Sequence, residues 1–230
     1  MRFSSTKIFS GRLCRVESKR PRNTTRLREA GAASRAETRR LLLEAAAEEF
    51  ARVGYVAATV NRIAERAGVT VQTLYLAWGS KRALLRAYLF STLTPGATPS
   101  PKYYAAQLHP DTPAGTLAQI ATWFCTIAKR SALAWQAYRE GAAVDKAIAE
   151  EWQELQVLRR GTFQELLSTI PDEVLQLPRE QAADTAWALA SPAMYELMVG
   201  SAGYTLEQFE PWLAANLQGA ILRSVPVQEA

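Results

Sequence analysis

The stretch Thr59-Val60-Asn61-Arg62-Ile63-Ala64-Glu65-Arg66-Ala67-Gly68-Val69-Thr70-Val71-Gln72-Thr73-Leu74-Tyr75-Leu76-Ala77-Trp78-Gly79-Ser80-Lys81 decides the fold. Thr59, Thr70 and Ser80 each precede a run of helix-compatible residues, where a hydroxyl oxygen accepts an unpaired N–H of the first turn. Gly68 and Gly79 close the first two runs as residues just past a helix end. Apolar side chains recur at helical spacing: Val60, Ile63, Ala64 and Ala67, then Val71, Leu74 and Trp78, then Ala83, Leu84, Tyr88 and Leu89. Short capped helices joined by a tight Gly-containing turn predict helix-turn-helix geometry.

Working outward, Ser34-Arg35-Ala36-Glu37 reads as a capping box that starts a helix. That helix carries Leu41, Leu42, Ala45, Ala46 and Phe50 inward and stops at Gly54. Residues 1–33 lack an apolar period and read as a basic, disordered arm. The arm resembles a mitochondrial transit peptide in being basic and poor in acids, but it has no amphipathic stripe. Pro95, Pro99, Pro101, Pro110 and Pro113 predict a loop over 94–113. Helical periodicity then covers 114–130, 131–143, 145–170, 179–199 and 205–223, followed by a tail over 224–230. No alternating strand pattern occurs, so the fold class is all-α: a helix-turn-helix domain over 34–93 and a larger helical domain over 114–223.

Charge is uneven along the 230 residues. The formal total is +5, but residues 1–40 carry +9, residues 41–90 carry +2 and the remainder −6. A basic terminus of this kind meets a polyanion or stays a solvated tail; both readings stand at this point. Apolar residues at 48% are sufficient for a core, and no run of 18 apolar residues exists to span a bilayer. Cys14 and Cys125, with the lone His109, offer no metal-ligand spacing and no disulfide framework. Phosphate-loop, dinucleotide, zinc-protease and nucleophile-elbow motifs are missing, and no nucleophile–base pair can be proposed. An enzyme is not expected, nor is a cofactor.

On a helical wheel Val71, Leu74 and Trp78 face the core, Gln72, Thr73, Leu76 and Ala77 face out, and Tyr75 lies on the shoulder. Gln can bond adenine N6 and N7 together, and Thr serves a base edge or a phosphate. The Tyr75 hydroxyl and the Lys81 ammonium suit phosphate oxygens, Ala77 permits close approach, and Leu76 can pack on a thymine methyl. Read alone, this is also what an ordinary solvated face looks like.

The order Ala36-Glu37-Thr38-Arg39-Arg40-Leu41 … Phe50 … Gly54-Tyr55 … Thr59-Val60 … Ile63-Ala64-Glu65-Arg66-Ala67-Gly68-Val69-Thr70 … Thr73-Leu74-Tyr75 … Gly79-Ser80-Lys81 resembles the N-terminal domain of the TetR family of bacterial transcription regulators, without a gap from about 36 to 88. The resemblance implies a cytoplasmic homodimer that binds double-stranded DNA at a pseudo-palindromic operator, most often as a repressor, and a C-terminal domain that holds a small-molecule effector. It places Thr59 and Asn61 where the second helix touches backbone and base. It places Thr70, Val71, Gln72, Thr73, Tyr75, Leu76, Ala77 and Lys81 at or beside the recognition helix. Leu76-Ala77 departs from the family's usual aromatic, His or Arg pair, and Gln72 from a frequent Gly or Pro.

The C-terminal half matches more loosely. Trp187, Tyr195, Phe209 and Trp212 lie in what look like the last two helices of one bacterial subgroup, which pair between subunits as a four-helix bundle; an intramolecular core is the competing reading. Trp123, Trp135, Tyr138 and Trp152, with Phe124, form an aromatic set that lines a ligand cavity or fills plain core. Gln136, Arg139, Glu140 and Glu151 are the polar residues beside it. A second functional reading, motivated by Leu76-Ala77, is a helical ligand- or protein-binding dimer that has lost sequence-specific DNA binding.

Overall fold

In a computed structural model of the chain, residues 24–94 and 100–223 are described. Helix α1 spans Thr24–Ala57, and α2 (Val60–Arg66), α3 (Val71–Trp78) and α4 (Lys81–Leu93) follow. The expected caps form: Thr59 accepts from Arg62 N at 3.3 Å, Thr70 from Thr73 N at 3.1 Å, and Ser80 from Ala83 N at 3.0 Å. Gly54 adopts φ +75° and interrupts α1, so the helix proper ends where the sequence placed its stop.

The start of α1 differs from the reading above. Ser34 and Glu37 lie inside the helix, because no proline stands between Thr24 and Ser34 and the helix formers Arg26, Leu27, Arg28, Glu29, Ala30, Ala32 and Ala33 outweigh Gly31. The part of the basic arm from 24 to 33 is therefore helical, and the rest lies outside the described residues. The chain divides into two compact units after Glu37. In the first, the side chains of residues 28–30 and 32–37 are exposed. The second holds both hydrophobic cores.

Beyond α4 come a short helix α5 (Pro101–Ala105), α6 (Pro113–Val144), α7 (Lys146–Leu167), α8 (Arg179–Leu189), α9 (Pro192–Tyr195) and α10 (Leu206–Ile221). The loop expected over 94–113 thus contains a helical turn, with Ser100 as its cap and Pro101 at its first position. The two helices expected at 114–130 and 131–143 are one, because Ser131 does not break the ladder; its hydroxyl donates back to Ile127 O at 2.8 Å. The helix expected over 179–199 divides at Ser191-Pro192, and a π-helical turn over Glu196–Ser201 follows α9. Among the described residues there is no strand, only an isolated bridge between Leu175 and Leu222, and no helix long and apolar enough to cross a membrane.

One core gathers Leu42, Phe50, Ile63, Leu74, Leu84 and Leu89 from α1–α4. It continues into Trp135, Tyr138, Ile148 and Leu155 of α6 and α7. The second joins α5–α8 and α10, with Leu117, Ile120, Phe163, Leu166, Phe209, Leu213 and Leu217 among its buried members. The first half of α6 belongs to the second core and its last turns to the first, so a single helix ties the two together.

Candidate nucleic-acid interface and ligand cavity

Helix α3 is anchored by Leu74, which is fully buried, and by Trp78, whose ring lies 3.7 Å beneath the Arg39 guanidinium. Arg39 also donates to the Ala77 carbonyl, fixing the last turn of α3 to α1. The opposite face is open: Gln72 is exposed, Tyr75 is half-exposed and Leu76 is 81% exposed. Thr59, Asn61 and Thr70 are exposed as well, whereas Val71, Thr73 and Ala77 are half-buried. The Thr70 and Thr73 hydroxyls lie 2.9 Å apart and share a hydrogen bond. Gln72, Tyr75 and Leu76 thus share one open face, whereas Thr73 and Ala77, outward on the wheel, are half-buried, and Thr73 is part of the turn's own wiring.

Cations around this face are already engaged. The Lys81 ammonium donates to Tyr55 O and Ala58 O, both at 2.8 Å, and stands 4.1 Å from the Tyr55 ring centre. Burial lowers its pKa. In this arrangement Lys81 closes the end of α1. Arg62 and Arg66 approach Glu49 at 3.8 and 3.6 Å, and Arg66 also pairs with Glu48 at 2.9 Å. Glu49 is itself fully buried and held by Arg52 at 2.9 Å. A buried carboxylate facing three guanidiniums fixes α2 to α1, and removing either side would leave uncompensated charge.

Two cavities lie farther along α6 and α7. The inner one, of about 70 Å³, is lined on α6 by Trp123, Phe124, Ile127, Ser131 and Trp135 and on α7 by Leu155, Leu158, Arg159, Thr162 and Phe163, with Pro192 and Tyr195 closing it. The outer one, of about 250 Å³, shares Trp135, Pro192 and Tyr195 and adds Gln136, Arg139, Trp152 and Glu196. Arg139 pairs with Glu196 of the π-helical turn at 2.6 Å across it. So Trp123, Trp135 and Trp152 border cavity space. Tyr138 does not: it is fully buried, and its hydroxyl donates to Glu151 at 2.5 Å. His109 is exposed, and Cys125 is a buried thiol pushed up to about 12 by desolvation.

Glu140 and Glu151, grouped by sequence with ligand-orienting residues, serve the helix-turn-helix instead. Glu140 of α6 accepts from Tyr55 N at 2.8 Å and occupies the space where a Cβ on Gly54 would stand. Glu151 of α7 lies 3.4 Å from Arg82 and 3.8 Å from Arg86 of α4. Arg130 of α6 donates to the carbonyls of Thr92 and Leu93, where α4 ends. These contacts, with Arg39 and Glu49, were missed because each partner sits on another helix; the only local signal was a charged residue on an otherwise apolar helical face.

The four residues expected at a subunit interface separate. Phe209 is fully buried inside its own protomer, 5.9 Å from Tyr195 and 5.7 Å from Trp212 by ring centres. It is core, one of the buried apolar side chains that α10 contributes to the second cluster. Trp187, Tyr195 and Trp212 are half-buried against the same core, which leaves less open apolar surface than their size promised.

Residues 42–88 match the family model of the bacterial regulatory proteins, tetR family, which bears out the resemblance read from the sequence. No curated protein sequence matches the chain. Solved structures share its fold. NalD of Pseudomonas aeruginosa, the secondary repressor of the MexAB-OprM multidrug efflux pump, superposes with a TM-score of 0.63 at 15% identity, over 83% of this chain and 98% of that one. A transcriptional regulator from Rhodococcus sp. gives 0.61 at 18% identity, covering 82% and 99%. The TetR regulator TylP of Streptomyces fradiae gives 0.54 at 24% identity, covering 83% and 88%.

Proposed function

We propose that the protein is a ligand-responsive, DNA-binding transcriptional regulator that acts as a homodimer, in the repressor mode, on a pseudo-palindromic operator. The observation that carries this reading is the open face of α3. Gln72, Tyr75 and Leu76 project from a helix whose other side is locked by Leu74, Trp78 and Arg39. A short helix held in this way can enter a major groove without first being ordered. Gln72 is the base reader, Tyr75 a backbone contact and Leu76 an apolar contact to a thymine methyl. Thr59, Asn61 and Thr70 border the same face.

The response travels through α6 and α7. A ligand that moved Trp135 or Leu155 would displace the stretch holding Tyr138, Glu140 and Glu151, whose partners are Tyr55, Arg82 and Arg86. A coupling of one to three kcal/mol, about the usual size, shifts operator occupancy about five- to 150-fold. In a dimer the readout is the spacing of two α3 helices. The surfaces of α8 and α10, with the open edges of Trp187 and Trp212, supply the subunit contact.

A second reading has its own support: no cation between residues 59 and 81 is without a partner, so α3 carries little phosphate attraction of its own. On that reading the chain is a ligand- or protein-binding dimer. Selection of bound duplexes from a random or genomic pool separates the two. Enrichment of an inverted repeat supports the regulator, and a pool that stays unenriched at low salt sinks it.

A further inference from the structure

Arg159 is set apart from most arginines of the described helices by having no carboxylate partner. Arg82, Arg86, Arg139, Arg160 and Arg179 all lie within ion-pair distance of Asp or Glu. Arg159 lines the inner cavity instead, among Leu155, Leu158, Phe163 and Tyr195. Its Nη2 donates to the Trp187 and Ala190 carbonyls at 3.1 and 2.9 Å, where α8 ends, and its Nη1 donates to Gln156 at 3.0 Å. Its Nε proton and the second Nη1 proton have no acceptor among the described residues. Enclosure lowers its pKa to about 10, so it remains a cation at neutral pH in surroundings that disfavour charge.

The rest of the lining sharpens the chemistry. The Ser131 and Thr162 hydroxyls donate back to their own helix, to Ile127 O and Leu158 O, and so offer a ligand acceptors only. Behind Arg159 and outside the lining, the Trp187 ring stands 5.8 Å from the guanidinium. The spare guanidinium protons of Arg159 thus stand at one end of an apolar chamber, with a single positive charge. A phosphate dianion would bring too much charge for one guanidinium. A neutral hydrocarbon would leave the donors unmet, at the usual cost of a buried unsatisfied group.

We propose that the inner cavity is the receptor for an organic carboxylate: its single negative charge pairs with Arg159, and its aryl or short alkyl body lies along Trp135 and Tyr195 toward the outer cavity. The proposal rests on the effector-site reading above and names the class of effector.

A matched pair of probes tests it on the full-length chain. 4-Phenylbutyrate and its primary amide have almost the same shape and differ in charge. Binding is followed by tryptophan fluorescence and by calorimetry without DNA, so the result does not depend on operator binding. The acid should bind at least tenfold more tightly than the amide, and Arg159→Gln, checked for helicity and melting temperature, should erase that preference. Arg159→Lys should keep part of it. Equal binding of acid and amide to the unaltered protein would overturn the proposal whether or not the variant folds. So would a preference that survives in a folded Arg159→Gln variant, or no binding of the acid at millimolar concentration. Arg159 would then serve only to cap α8. A chain that prefers the acid but selects no DNA keeps this proposal and loses the regulator.

Discussion

The two cores of this protein are built to different standards of closure. Around α1–α4 the inward apolar side chains are closely packed. Leu42, Ile63, Leu74, Leu84, Leu85 and Leu89 are fully buried, and three hydroxyl caps and the Glu49 cluster satisfy helix ends and a buried carboxylate, although the Trp78 indole N–H is buried without a partner. Around α6–α9 the packing leaves a chamber, an arginine without a counter-ion and a π-helical turn, a form that recurs at functional sites. Close packing holds an exposed face at fixed orientation, and incomplete packing leaves room for something else to finish the core. On the function proposed above, the first region would present the reading helix and the second would sense the ligand.

The largest effect expected concerns what the closed region lacks. Its cations between 59 and 81 are engaged, so attraction to phosphate has to come from elsewhere. Residues 2–23 carry seven Lys/Arg against Glu17 alone. Deleting them should reduce DNA affinity by orders of magnitude at low salt and flatten the slope of log K against log salt by several units, at about 0.9 per phosphate contact. The preferred sequence should persist, because α3 is untouched. Titrations at four salt concentrations measure this, and an unchanged slope would put the arm outside DNA binding.

The comparison of cores can be broken directly. Leu84→Ala should cost about 3–5 kcal/mol, since a closed site cannot collapse around the lost methyls. Leu158→Ala, beside the chamber and already short of neighbours on one side, should cost about 1–2 kcal/mol. Urea unfolding of both variants gives the ratio, and equal costs would mean that the chamber is filled by motion of its walls.

Smaller effects belong to the open face of α3. Gln72→Ala should weaken binding to the preferred site by about 1–3 kcal/mol and relax base choice at one position in each half-site. Tyr75→Phe should weaken all sequences alike, by about 0.5–1.5 kcal/mol. Gel shifts with specific and scrambled duplexes distinguish the roles; parallel losses on both duplexes for Gln72→Ala would remove it from base reading.

Local signals carried most of the helix-turn-helix. A threonine or serine cap and a glycine stop act within four residues, so Thr59, Thr70, Ser80 and Gly54 could be placed from spacing alone. Where a signal had a local competitor the reading slipped: Ser34 resembled a cap but continuous helix-formers run through it, and Ser131 resembled a break but bonds back to its own helix. Side-chain commitments were illegible for a different reason. Lys81 meets carbonyls 23 and 26 positions upstream, and Glu140 meets an amide 85 positions away. No periodicity reports such pairs. The aromatic set was half legible, because helical spacing puts Trp135 and Tyr138 near one another but cannot say which ring meets empty space.

The contact between Glu140 and Tyr55 N, beneath a glycine that leaves it room, bears on anyone who would recombine this molecule. Grafting a foreign reader onto this sensor by cutting in the proline-rich segment near residue 97 would separate Gly54, Arg82 and Arg86 from Glu140 and Glu151. A donor with alanine at the position of Gly54 would drive its Cβ into the carboxylate, and one without the two arginines would leave Glu151 with only Tyr138. A working chimera therefore has to transplant five residues from two distant stretches together, and a single cut that keeps them together falls after Glu151, within α7.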